Sequence, residues 1–189
     1  MEAKTKNFLY PPGGILLWLI IFLELITFGA AIIIMVVYGK EEPLVYHQSR
    51  LQLNILLGTI NTCILLSSGY FMAEAVRKQK LGETKSAATF LKLTILFGFL
   101  FVFVKSFEYY QKLNEGLGFS TNIFFSFYWS LTIFHLAHVL TGITILLFFA
   151  GKFAGNKNIG MTDFESAATF WHLCDLIWLL IFPTLYLLF

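Results

Sequence analysis

The stretch GILLWLIIFLELITFGAAIIIMVVY, from Gly14 to Tyr38, holds one ionisable side chain, Glu24, in an otherwise apolar run. About 20 mostly apolar residues cross a bilayer core as a helix, and backbone groups that meet hydrocarbon must pair within their own segment. The run is therefore read as a membrane-spanning helix. Four further stretches have the same character: Leu51–Val76, Phe90–Tyr110, Ile123–Ala150 and Ala167–Phe189. None has the ~10-residue alternation of a barrel strand. The expected fold is all-α, one membrane domain over residues 1–189 with five transmembrane helices at about 14–38, 51–76, 90–110, 123–150 and 167–189. The first run is too long, and ends too poorly at Tyr38-Gly39-Lys40, to read as a cleavable signal peptide.

Composition agrees. Of 189 residues, 58% are hydrophobic and 13% charged, against about 25% charged in a typical soluble domain. Mean hydropathy is +0.76, too high for polar surface to cover a soluble core. The net charge of +2 leaves no nucleic-acid footprint. Basic residues set the expected orientation. Lys4, Lys6, Arg77, Lys78, Lys80, Lys85, Lys92, Lys152 and Lys157 fall on the side of the N-terminus; Lys40, Arg50, Lys105 and Lys112 fall on the other. The excess predicts a cytoplasmic N-terminus and a C-terminus outside.

Loop residues punctuate the spans. Pro11-Pro12-Gly13-Gly14 opens the first, and Gly116 and Gly118 lie in the third loop. Thr162-Asp163-Phe164-Glu165 has the pattern of a capping box before the last. Ser86-Ala87-Ala88-Thr89-Phe90 recurs as Ser166-Ala167-Ala168-Thr169-Phe170 with unmatched flanks, which reads as two similar helix starts. Cys63 and Cys174 sit at different depths, so both are expected as free, buried thiols.

Ionisable residues inside a membrane are costly and are functional candidates by default. Glu24 lies ten residues into the first span, ~15 Å along it and near the midplane. A bare carboxylate there is very unfavourable, so a neutral acid is expected. It is either a proton-linked group or lipid or helix anchor, or an acid hydrogen-bonded to a neighbouring helix. His135 and His138 are i, i+3 on the fourth span near the same depth. Packing, a metal, a lipid or proton role, or pairing with Glu24 all remain open for them. His172 and Asp175 repeat that spacing on the last span, one to two turns in, with Glu74 at similar depth. These three form either an Asp–His–Glu network or an interfacial polar cluster with Trp171 as its belt residue. Lys105 and Glu108 read as a local ion pair with Lys105 snorkelling outward. Asn54, Asn61, Thr62, Ser67 and Ser68 suit interhelical hydrogen bonds, and Pro183 is expected to bend the last span.

Four His in total, one of them (His47) in a loop, are too few for a haem–copper catalytic subunit. Two separated Cys cannot make a binuclear copper site. No Walker or Rossmann fingerprint appears, and no pair of matched halves with broken helices marks a transporter. Unaided, these residues give a five-span membrane protein with a buried polar seam.

Several of them are similar to a known family. Trp18–Phe28, with Glu24, resembles the helix of cytochrome c oxidase subunit III that carries a membrane Glu. Asn61-Thr62 with Leu65–Ser68 resembles the next helix, and Lys105–Tyr109 resembles the family's Glu-Tyr signature. Asn122–Tyr128 leading to His135–Gly142 is the most specific match, and Phe170–Trp178 resembles the closing helix. The motifs follow the family's order on all five spans. The longest members have seven helices, of which this chain lacks the first two; Lys105, Pro183 and the length lean to the short bacterial branch, which includes an accessory protein of nitric oxide reductase. Ile133 replaces a usual Gly, and Cys174 a β-branched residue.

The resemblance implies a non-catalytic accessory subunit in a bacterial inner membrane. Such a subunit binds no haem or metal itself. It packs against catalytic subunit I, which carries haem and copper with other oxidase subunits; it binds phospholipid and supports proton uptake. Carried over, the positions are Glu24, Glu108, His135, His138, His172 and Asp175, and Glu74 joins them from its depth alone. The alternatives are the nitric oxide reductase accessory protein, a proton-linked transporter using Glu24 and the His pair, and a haem-binding cytochrome.

Overall fold

A computed structural model describes residues 14–155 and 159–189. Pro11, Pro12 and Gly13, and the orientation markers Lys4, Lys6 and Lys157, lie outside the described residues. The described residues form six helices: α1 (Ile15–Glu41), α2 (Pro43–Leu51), α3 (Ile55–Lys80), α4 (Thr84–Asn114), α5 (Ile123–Ala154) and α6 (Met161–Tyr186). All but α2 are long and apolar enough to cross a membrane. The described residues are those of an all-α membrane protein with five candidate spans.

The helices outrun the apolar runs that announce them. α4 begins at Thr84 and ends at Asn114, beyond the expected 90–110, because helical hydrogen bonding continues into polar residues once the apolar run has ended. α3 begins later than expected, at Ile55. Residues up to Leu51 belong instead to α2, an unexpected short helix opened by Pro43 at its first turn, where a missing N–H costs nothing. Asn54 then caps α3, its side chain accepting from Leu57 N at 3.2 Å. Asn122 caps α5 in the same way, from Phe125 N at 3.0 Å. The expected capping box at Thr162 does not form: α6 begins at Met161, its N-cap is Gly160, and no side chain caps it.

α3 packs most extensively against α4, and α6 touches α1, α3 and α5. Trp171 of α6 is the wedge at the centre. It is fully buried, and a Cβ on Gly98 of α4 or on Gly142 of α5 would come within 2.8 Å of its ring. Its indole N–H donates to Ser68 Oγ at 3.2 Å, and that hydroxyl donates to Thr94 O at 2.9 Å, so one chain of hydrogen bonds joins α6, α3 and α4. This corrects the belt role expected for Trp171: two glycines leave a slot inside the bundle that only a large flat ring fills. Trp178 Nε1 donates to Thr62 Oγ1 at 3.0 Å. Of the other small polar residues, Ser67 bonds its own helix and Asn61 is buried with neither amide atom paired.

α1 is attached differently. Its buried residues are Ile21, Phe28, Met35 and Gly39. The first three recur at intervals of seven, a single narrow seam of near-parallel helix packing. Leu17, Trp18, Leu25, Ala31 and Ile32 pack partly buried beside that seam, and the far face of α1 is exposed and mostly apolar. Cys63 is also exposed, so only Cys174 is the buried thiol expected.

Candidate functional site

The mid-depth pair is built by α1 and α5. Glu24 lies four residues from the middle of α1, and His138 at the middle of α5. His138 Nε2 stands 3.1 Å from Glu24 Oε1. The other ring nitrogen, Nδ1, lies 2.8 Å from Phe134 O. A carbonyl oxygen can only accept, so Nδ1 carries a hydrogen. Nε2 then either accepts from a protonated Glu24 or, as imidazolium, donates to a carboxylate. Phe28 and Phe134 stack on each other and meet the imidazole edge-on. Glu24 Oε2 is buried with no partner.

His135 does not join that pair. It is fully buried, stacked on Trp178 with ring centroids 5.3 Å apart and edge-on to Phe101, and neither ring nitrogen has a hydrogen-bond partner.

A second site lies toward the α2 end of the bundle. Lys105 and Glu108 of α4 sit there with Tyr128 of α5 and Tyr186 of α6, all four buried. Lys105 Nζ donates to Glu108 Oε2 at 3.1 Å, to Tyr128 Oη at 3.3 Å and to Tyr186 Oη at 2.9 Å. Both phenols donate to Glu108 Oε1, at 2.9 Å from Tyr128 and 2.5 Å from Tyr186. Three ammonium protons and two phenol protons are thus all placed. The rings of Tyr109, Tyr128, Trp178 and Tyr186 surround the cation, their centroids 4.8–5.5 Å from Nζ. This corrects the snorkelling expected of Lys105, which is 1% exposed. With two phenols and a carboxylate meeting its charge, the ammonium need not reach water.

α2 roofs this end. Asn122 Nδ2 donates to Ser49 Oγ at 2.9 Å, Arg50 donates to Tyr186 O at 3.4 Å, and Lys112 donates to Gln52 O at 2.5 Å. Tyr46 of α2 is buried edge-on to Phe124 and Phe189. Burial, with Glu42 and then Tyr38 nearby, pushes its phenol up to about 12.

The third group is smaller than expected. His172 Nδ1 lies 3.4 Å from Asp175 Oδ2, but Glu74 is bound to Arg77, 2.6 Å away on its own helix. No Asp–His–Glu network forms, because a cation one turn along α3 takes the carboxylate. His172 and Asp175 flank the middle of α6, since that helix starts six residues before Ala167. Asp175 packs so closely on Gly69 of α3 that any Cβ there would collide with Oδ2.

At the opposite end from α2, ion pairs join Lys78 to Glu83 and Lys80 to Glu165. The hydrogen bond from Lys78 holds the Glu83 carboxyl below the usual range. Among the described residues, no three His, Cys, Asp or Glu side chains converge as metal ligands.

Sequence reasoning placed Glu24, His135, His138, Glu108 and Asp175 on the correct helices and missed Tyr128 and Tyr186. Their signal was available: in alternating spans, residues just after the start of the fourth and at the end of the fifth share the level of Lys105.

A family model described as "Cytochrome c oxidase subunit III" matches residues 13–188. Among curated proteins, the chain is 33% identical over 132 residues to "Cytochrome c oxidase subunit 3" of Tetraodon nigroviridis, covering 67% of this chain and 48% of that protein. It is 36% identical over 133 residues to "Probable cytochrome c oxidase subunit 3" of Rickettsia bellii, covering 68% and 47%. The chain spans about half the length of the curated relatives it matches.

Proposed function

Because the chain belongs to the cytochrome c oxidase subunit III family, we propose that it is a non-catalytic accessory subunit of a haem–copper respiratory oxidase in a bacterial inner membrane. Haem and copper then belong to catalytic subunit I and its companions. This chain packs beside them, binds phospholipid and supports proton uptake, with its N-terminus cytoplasmic. The observation that carries the reading is the Glu24–His138 pair. Both imidazole nitrogens of His138 are committed, one to Glu24 and one to Phe134 O. Such a group suits storing or steadying a proton better than gripping a redox centre.

Purification of the native complex in mild detergent tests the proposal. Haem-bearing oxidase chains are expected to accompany this one. Recovery with a nitric oxide reductase instead, a Soret band from the isolated chain, or proton-coupled flux through the chain alone in liposomes would each overturn it.

A further inference from the structure

No further inference is drawn: the strongest candidate, the hollow of about 500 Å³ between α1 and α5 that runs from Phe28 and Phe134 to Tyr38 and Ile123, is a mostly apolar face, and nothing in the structure shows what covers it.

Discussion

Glu24–His138 and Lys105–Glu108 are both pairs of a carboxyl and a base inside membrane spans, and they are finished differently. At Lys105 all three ammonium protons and both phenol protons have acceptors, and aromatic rings close every side. At Glu24 one carboxyl oxygen has no partner, and each side chain is about 15% exposed on a helix held by a narrow seam. A closed network fixes a structure, because any change strands a charge. An open one can gain or lose a proton or a partner without dismantling the fold. The difference separates the part of the molecule that holds the bundle from the part free to act.

The largest expected effect comes from breaking the closed pair. Lys105→Met leaves Glu108 buried without its cation and is expected to destabilise the bundle by about 3–5 kcal/mol. Adding Glu108→Gln should restore much of the loss. Thermal unfolding in detergent reads both, and a single variant as stable as wild type would refute the closed network. The next largest effect is at Trp171. Gly142→Leu pushes a side chain into its ring and is expected to cost about 1–3 kcal/mol. Trp171→Phe should relieve part of that in the double variant, measured in the same way.

At the open pair the effect is functional and small. Glu24→Gln is expected to leave the complex assembled and to change sustained turnover or proton uptake modestly; complete loss of haem reduction would contradict an accessory role. The contrast also predicts that a hydrophobic carbodiimide modifies Glu24 and spares the sealed Glu108, which peptide mass mapping distinguishes. The smallest effect is at Tyr46→Phe. The Tyr46 hydroxyl has no partner, so its removal is expected to be nearly neutral at pH 7. The folded phenol ionises only near 12, above its unfolded value of about 10. Burial of this residue therefore disfavours unfolding less and less as pH rises from about 10 to 12, and Tyr46→Phe should unfold less readily than wild type across that window.

The spans were legible because apolar length is a direct consequence of bilayer thickness. Their ends were not, because polar residues such as Thr84 and Asn114 continue a helix as readily as they leave it. α2 escaped notice as nine mixed residues with no apolar run. The i, i+3 spacings made His172–Asp175 and Lys105–Glu108 visible on single helices. Partners on other helices were harder. Pairing Glu24 with the His pair needed only equal depth, whereas Tyr128 and Tyr186 look in sequence like aromatics of a membrane interface. Glu74 was misjudged for the opposite reason: its depth suggested a distant partner, and Arg77 lay one turn away.

Trp171 and Tyr186 both arrive with α6, the last of the described helices to leave the ribosome. Until then the slot between Gly98 and Gly142 is empty and Lys105 lacks one of its phenols. A nascent chain halted before residue 161 would carry an incompletely solvated ammonium and a gap at its heart.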